Sequence, residues 1–233
     1  MSIERLLQQR PDLWRGRGLP ASAPAGVSTG FGALDRALPW GGWPPDGLSE
    51  ILTAHPGAGL ALLLPMLTAL GRAGGGGRPR WLLLVDPPFV PYAPALAARG
   101  LDLVRLLIVR AGAEGPWAME QALRAWACAV VVGWEREYGI RSTKYDGRME
   151  QTTMLRRLQL AAAAGGTPAV LLRAPAAAGQ ASPAALRLTV QAAPGGLEVT
   201  LLKLRGGRAG TTLHLGEAPR VTAIDRAGAM MAR

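Results

Sequence analysis

The sequence has few of the residues that build disulfides or metal sites. It contains one cysteine, Cys128, and two histidines, His55 and His214, among 233 residues. A single cysteine excludes an internal disulfide, and the apolar run around Cys128 predicts a buried thiol in a cytoplasmic protein. The two histidines are far apart and have no cysteine beside them, so we expect no metal site and no cofactor.

Long hydrophobic runs are also absent. The longest, residues 60–70, is interrupted by Pro65 and falls short of the roughly 20 residues that a bilayer span needs. Glu4 and Arg5 precede any apolar stretch, which is not the pattern of a signal peptide. We therefore expect no membrane association. A hydrophobic content of 49% indicates a folded chain, and the length predicts one domain with attachments.

Acidic residues are scarce towards the C-terminus. Residues 21–153 carry 12 basic and 11 acidic side chains, whereas residues 154–233 carry 10 basic and 3 acidic ones, within a formal net charge of +10. Such an excess is typical of proteins that bind nucleic acid or an acidic partner. It also fits the arginine-rich, alanine-rich composition that GC-rich DNA encodes, and the sequence leaves both explanations open.

From residue 48 onward, apolar strands alternate with helices. Continuous apolar strands in such an alternation predict an α/β fold with a mostly parallel central sheet and helices on both faces. A hairpin around residues 194–196 predicts a C-terminal antiparallel extension. The predicted strands are 48–54, 81–85, 106–109, 128–133, 169–173 and 211–215, and the predicted helices are 60–72, 92–99, 116–127 and 151–164.

Three segments flank or interrupt this core. Residues 1–26 are predicted to form a short amphipathic helix over residues 2–9, followed by a flexible linker. Residues 27–216 are predicted to form the core, in which Thr29 caps a second short helix. Residues 217–233 are predicted to form a C-terminal tail. Residues 135–153 hold two of the three tyrosines and equal numbers of acids and bases. We interpret this atypical segment as a solvated loop or an insertion.

Residues 50–64, EILTAHPGAGLALLL, have the order of a strand, a glycine-containing turn and a helix. This order cradles phosphate in many nucleotide-binding proteins, where a lysine and a hydroxyl residue follow the last glycine. Here those two positions hold Leu60 and Ala61. The sequence keeps only the backbone of a phosphate loop, so we interpret Gly57 and Gly59 as residues that permit a tight turn, with no ligand implied.

Several segments resemble known proteins when they are taken together. The order STGFGALDRAL, GGWPPDGLSEIL, then the turn, is similar to the start of the RecA recombinase core, and RWLLLVDPPFVPYAPALAARGLDLVRLLIV continues the likeness. More narrowly, LWRG, GGWPPDGLSEIL, LLLPMLTAL and PPFVPYAPALAARGLDLVRLLIVR resemble ImuA, the bacterial RecA-like accessory family of damage-induced translesion synthesis. The likeness covers residues 13–108 most fully, EQALRAWACAVVVGW and LRRLQLAAAAGGTPAVLLR well, and the last hairpins loosely.

Under this resemblance the catalytic positions of RecA-type ATPases are mostly lost. Leu60 replaces the phosphate-binding lysine, and Ala61 replaces the magnesium-binding hydroxyl. Asp86 is kept, but Pro88 stands where the water-activating glutamate is expected, and Gly133 replaces the aspartate that ends the Walker B strand. Together these losses remove the electrostatic stabilisation on which phosphoryl transfer depends, so we expect no ATP hydrolysis.

The resemblance implies that function lies in binding surfaces, and three candidates follow from the residues. The first is the N-terminal helix, which docks on another molecule in self-association or folds back on its own core. The second is the 135–153 segment together with residues 174–183, as a possible contact for single-stranded DNA. The third is the basic C-terminal region. The residues concerned are Ile3, Leu6 and Leu7; then Arg136, Arg141, Lys144 and Arg148; then Lys203, Arg205, Arg208, Arg220, Arg226 and Arg233.

The resemblance also implies partners. In the ImuA family these are ImuB, an inactive relative of the Y-family polymerases, and an error-prone DnaE-type polymerase; RecA itself is a further possible partner. Two other functions compete with a translesion adaptor. One is a SulA-like inhibitor of cell division, which also lacks ATP chemistry, and the other is a residual nucleotide-dependent regulator of recombination.

Overall fold

A computed structural model describes residues 25–72, 80–135 and 149–216. Its helices are α1 Gly32–Ala37, α2 Pro56–Arg72, α3 Ala93–Ala98, α4 Gly115–Arg124 and α5 Met149–Gly165. Its strands are β1 Leu48–Leu52, β2 Trp81–Val85, β3 Leu106–Val109, β4 Cys128–Trp134, β5 Ala169–Arg173, β6 Leu186–Ala193, β7 Gly196–Leu204 and β8 Thr212–Gly216. Short 3₁₀ turns occupy Leu103–Arg105, Gly112–Glu114 and Pro175–Gly179.

All eight strands form one sheet in the order β3-β2-β4-β5-β1-β6-β7-β8. The six strands from β3 to β6 are mutually parallel, whereas β7 pairs antiparallel with both β6 and β8. The predicted architecture of a mostly parallel sheet with a C-terminal antiparallel extension is therefore confirmed. In this order β1 lies between β5 and β6, so the first strand of the core is among the most enclosed.

Apolar clusters cover the two faces of the parallel sheet. On one face, α2 contributes Leu62 and Met66 to a cluster that includes Ile51 of β1 and Val130 of β4. On the other face, a second cluster combines α4 and α5 with alternate strand residues, including Leu48, Leu83, Val131, Leu123, Leu155 and Leu158. Every residue of β1 and of β5 is buried. Burial on both faces explains why these strands read as unbroken apolar runs.

Two helix boundaries differ from the prediction by three residues or more, for identifiable reasons. Helix α2 begins at Pro56 rather than at residue 60, because the fixed φ of proline suits the first helical position. Helix α4 ends at Arg124 rather than at residue 127. Trp126 has a φ of +58°, in the left-handed region, which the helix cannot continue through.

The start of α1 corrects a further prediction. The residue that precedes the helix is Phe31, which makes no side-chain cap, so Thr29 does not cap the helix as expected. Instead, the Thr29 hydroxyl accepts a hydrogen bond from the Phe31 amide at 3.1 Å. Asp35, inside the helix, accepts from the Thr29 amide at 2.8 Å and from the Ser28 hydroxyl at 2.7 Å. The entry to α1 is thus held by a carboxylate one turn further on.

Within the described residues, Cys128 is a buried thiol, 4% exposed, and its burial raises the pKa of the thiol above its ordinary value. No helix of the described part is long and apolar enough to cross a membrane. The described residues also contain no group of three metal-ligating side chains that could hold a metal ion. The division of the chain into an N-terminal segment, a core and a tail stays a prediction.

Candidate functional site

The turn between β1 and α2 is closed by its own hydrogen bonds. The hydroxyl of Thr53 accepts from the His55 amide and donates to the His55 carbonyl, both at 3.1 Å. That carbonyl also accepts from the amides of Ala58 at 2.9 Å and Gly59 at 3.4 Å. A phosphate cradle needs backbone amides that point at the ligand. Two of the amides at this position are already satisfied by the protein.

The two glycines of this turn do not serve its curvature. Both lie inside the first turn of α2, and neither has a positive φ. A Cβ atom at Gly59 would lie 2.3 Å from a methyl carbon of Leu172 on β5, whereas a Cβ at Gly57 would meet nothing within 4 Å. The interpretation of both as turn residues is therefore replaced by a different one: Gly59 permits helix-to-sheet packing, and Gly57 lies in open space.

Leu60 and Ala61, which the resemblance sets against the phosphate lysine and the magnesium hydroxyl, lie in apolar surroundings. Leu60 and Ala61 are partly buried and pack against the apolar cluster on the α2 face of the sheet. Neither side chain can donate a hydrogen bond or hold a metal ion. The start of α2 is thus integrated into the core at the positions where an ATPase places its lysine and its hydroxyl.

Of the three other positions that the resemblance sets against ATPase residues, Pro88 is exposed, whereas Asp86 and Gly133 have structural contacts. Asp86, with a φ of +51°, accepts hydrogen bonds from the amides of Ala111 at 2.8 Å and Gly112 at 3.0 Å. A Cβ atom at Gly133 would lie 2.3 Å from the sulfur of Met119 on α4. The retained aspartate therefore braces the loop after β3, and helix packing fills the space that a side chain at residue 133 would take.

Sequence reasoning missed a buried charge network at the centre of the sheet. Glu50 of β1 is fully buried, and its carboxylate lies between arginines on the two neighbouring strands. Arg173 of β5 donates to it at 2.9 Å, and Arg187 of β6 donates at 3.1 Å. The parallel register explains the contact, because Glu50 stands directly opposite Arg187.

The network extends from Glu50 into the neighbouring loops. Arg173 donates two hydrogen bonds to Glu135, at 3.0 and 3.1 Å, and one to Gln180 at 2.7 Å. Burial alone lowers the pKa of Arg173, but hydrogen bonds and ion pairs with Glu135 and Glu50 outweigh that effect and raise it. The Ser182 hydroxyl donates to Glu50 as well. Arginines from β5 and β6 therefore converge on one carboxylate of β1.

The same network fixes the segment after β5. Arg187 donates hydrogen bonds to three backbone carbonyls of this segment, those of Ala177 at 2.7 Å, Ala178 at 3.4 Å and Gln180 at 2.9 Å. Residues 174–183 contain no charged and no aromatic side chain. They therefore lack the groups that commonly bind phosphates or stack on bases, and the prediction that this segment contacts DNA gains no support from its composition.

The predicted basic residues of the C-terminal region differ in their exposure. Lys203 is partly buried, and its ammonium donates to the Ser182 carbonyl at 2.6 Å. Burial, followed by the nearby charges of Arg187 and Arg205, lowers the pKa of Lys203. Arg205 and Arg208 are exposed. Lys203 thus supports the network, whereas the two arginines face solvent, and DNA contact by any of the three stays a prediction.

A cavity of about 260 Å³ opens beside the network at the carboxyl ends of the strands. Both carboxylates that line it are already engaged, Asp86 with backbone amides and Glu135 with Arg173. The remaining walls come mainly from apolar and glycine residues of β2, β4, β5, α4, α5 and the 3₁₀ turn after β3, including Val85, Gly112, Gly115, Met119, Trp134, Met154, Leu158 and Leu171. Its lining provides no free nucleophile or base.

The other predicted site residues lie outside the described part of the chain. These are Ile3, Leu6 and Leu7 of the N-terminal helix, Arg136, Arg141, Lys144 and Arg148 of the atypical segment, and Arg220, Arg226 and Arg233 of the tail. Their roles stay predictions.

The packing at the start of α2 yields a test that separates the two glycines. Gly59→Ala places a methyl group against Leu172, and we expect this overpacking to lower the free energy of unfolding by about 1–3 kcal/mol. Gly57→Ala adds a methyl group in open space within a helix, and we expect a gain of up to about 1 kcal/mol. Urea denaturation of both variants measures the difference. Equal destabilisation by the two substitutions would show that both glycines serve the turn.

The charge network yields a second stability test. Glu50→Gln keeps the side-chain shape but leaves Arg173 and Arg187 without their shared countercharge, so we expect a loss of about 3–5 kcal/mol in the free energy of unfolding. Glu198→Gln, at a partly exposed position of β7, is the matched control and should cost under about 1 kcal/mol. Chemical denaturation followed by circular dichroism gives both values. Wild-type stability of Glu50→Gln would contradict the importance assigned to the network.

Comparison with known proteins finds structures with a similar fold but no similar sequence family. No protein-family model and no curated protein matches the sequence. Among solved structures, the chain is similar to the RadB recombinase, with a TM-score of 0.62 and 17% identity, over 80% of this chain and 93% of that one. SulA from Pseudomonas aeruginosa matches with a TM-score of 0.41 and 27% identity, over 55% of this chain and 97% of that one. The chain therefore has a RecA-like α/β fold.

Proposed function

We propose that the protein is a non-catalytic RecA-like adaptor of damage-induced, error-prone translesion DNA synthesis in the cytoplasm. The observation that carries the proposal is the closed turn at the start of α2. Its amides bond to the His55 carbonyl, and the positions of the phosphate lysine and the magnesium hydroxyl are apolar and packed into the core. A RecA-like scaffold without these groups offers surfaces for binding and no machinery for phosphoryl transfer.

The translesion role rests on the resemblance of residues 13–108 to the ImuA family. Under that resemblance the partner is an ImuB-like inactive relative of the Y-family polymerases, with a DnaE-type polymerase bound directly or through it. We assign the partner contact to the basic C-terminal third, and in particular to Arg220, Arg226 and Arg233. Arginine pairs with carboxylates through two parallel hydrogen bonds, which suits an acidic partner surface.

The absence of ATP chemistry is directly testable. We expect purified protein to show no ATP turnover above background and no tight ATP binding in calorimetry. The double variant Leu60→Lys, Ala61→Thr should stay inactive, because the water-activating glutamate and the Walker B aspartate are still missing. Turnover in the wild-type protein that disappears in Gly59→Ala, with folding confirmed by circular dichroism, would support the competing function of a nucleotide-dependent regulator.

The partner assignment is tested in DNA-damaged cells with tagged protein. We expect capture of an ImuB-like polymerase relative, and we expect deletion of residues 220–233 to abolish both that capture and damage-induced mutagenesis. Gly57→Ala, which touches nothing, is the matched control and should leave both at wild-type levels. Capture of the division protein FtsZ instead would indicate a SulA-like inhibitor. A truncated protein that still binds and supports mutagenesis would exclude the tail as the contact.

A further inference from the structure

Two large aromatic side chains lie exposed at the amino end of the parallel sheet. Trp81 begins β2 and is 43% exposed, and Trp126 precedes β4 and is 70% exposed. The two strands are neighbours: Trp81 pairs with Cys128, and the Trp81 amide donates to the Ala127 carbonyl at 2.8 Å. The two indole rings are therefore displayed by adjacent strand ends, away from the cavity at the carboxyl ends and from the charge network at the centre of the sheet.

The backbone at Trp126 is held in an unusual conformation. Its φ of +58° is strained for a bulky side chain, and an exposed turn position of this kind commonly holds glycine or asparagine. Core packing does not account for tryptophan here, because most of its side chain is in contact with solvent. Backbone strain that persists without a packing benefit is a frequent mark of a binding position.

An arginine accompanies each of the two tryptophans, and each arginine is anchored by a hydrogen bond. Arg80 directly precedes Trp81, is exposed, and donates to the hydroxyl of the buried Thr167 at 3.1 Å. Arg124 precedes Trp126 by two residues, is 58% exposed, and donates to Glu120 at 2.9 Å. One anchor leaves most of the five N–H donors of each guanidinium free. The four residues Arg80, Trp81, Arg124 and Trp126 are called the tryptophan-arginine patch below.

The surroundings of the patch are positively charged. The buried carboxylate of Glu120 is shared with a second arginine, Arg157 of α5, at 2.7 Å, and the side chain of Arg157 is 59% exposed. Asp102, which precedes β3 at the same end of the sheet, is paired with Arg105 at 3.5 Å. Both carboxylates are therefore already bound by arginines, and the arginines outnumber them by two to one.

We infer that the tryptophan-arginine patch binds single-stranded nucleic acid. An unpaired strand offers planar bases that stack on indole rings and phosphates that pair with guanidinium groups, and the patch carries both kinds of side chain on neighbouring strand ends. A paired duplex hides its base faces and would engage the arginines alone. The inference does not depend on the adaptor role, because it rests on residues of the sheet that the assigned partner contact does not include.

The experiment measures binding of a fluorescein-labelled twenty-nucleotide oligothymidine by anisotropy at several salt concentrations. Trp126→Gly removes the ring and relieves the strained φ, so the variant should fold, and we expect at least about fivefold weaker binding. The double variant Arg80→Gln, Arg124→Gln should weaken binding and reduce the slope of log affinity against log salt by about 1.4, which corresponds to two phosphate contacts.

Matched controls lie elsewhere on the same molecule. Trp117→Ala removes a tryptophan that is 55% exposed at the other end of α4, and Arg110→Gln removes an exposed arginine at the carboxyl end of β3. Both should bind the oligonucleotide within twofold of wild type. The proposal is overturned if wild-type protein does not bind the oligonucleotide at low salt, or if the controls lose as much affinity as the patch variants. It is also overturned if only substitutions at Arg205 and Arg208 weaken binding.

The adaptor role has its own separate readout. Capture of the polymerase relative by the patch variants, combined with loss of oligonucleotide binding, supports the inference whatever the result of the tail deletion. Patch variants that bind the oligonucleotide like wild type but lose the captured protein would show that the surface belongs to a protein partner, which overturns the inference. Wild-type protein that does not bind the oligonucleotide contradicts the inference, and wild-type protein that does not capture the polymerase relative contradicts the adaptor role.

Discussion

The contact between Glu50 and its two arginines determines how the centre of the sheet is assembled. A carboxylate excluded from water is costly unless its charge is matched and its oxygens are hydrogen bonded. Here the match requires one arginine from each neighbouring strand, so β5, β1 and β6 are held in a single register by charge as well as by backbone pairing. The segment after β5 and the amine of Lys203 are then positioned by the groups that complete this network.

Packing and bracing contacts hold the carboxyl ends of the strands. Thr53 and His55 close the turn, Asp86 holds the loop after β3, and Met119 lies against Gly133. In the network at the centre of the sheet, Arg173 and Arg187 donate to carboxylates and carbonyls, whereas Arg110 at the carboxyl end of β3 is exposed. At the amino end, the exposed Trp81 and Trp126 each have an arginine nearby in the sequence.

Several elements were predictable because a local pattern determines them. The strands at 81–85, 106–109 and 169–173 agree with the prediction at both ends. The first two are apolar runs bounded by charged residues, and the third is an apolar run that follows Pro168 and ends at Arg173. The hairpin around residues 194–196 was predictable from its glycines, and Gly195 has the positive φ that such a turn requires. That residues 60 and 61 carry neither a lysine nor a hydroxyl is read directly from the sequence, and their correspondence to an ATPase site stays a prediction.

Other features depend on partners that are distant in the sequence. Glu50 and Arg187 are 137 residues apart, and only the strand register brings them opposite each other. The need for glycine at residue 59 comes from Leu172, on another strand, and not from the turn. The end of α4 depends on a left-handed tryptophan, a conformation for which composition gives no warning. These features could not be predicted from the sequence because they depend on long-range pairing or on a rare backbone conformation.

The contact between Met119 and Gly133 has a consequence for how such a chain can change over time. An aspartate placed at residue 133 would put its Cβ 2.3 Å from the methionine sulfur, so the flexible Met119 side chain would have to shift to make room for this acid. A smaller residue at 119 leaves a cavity in the α4 face of the core until the acid arrives. Either change made alone disturbs this packing, so we expect an acid at residue 133 and a smaller side chain at residue 119 to be tolerated best together.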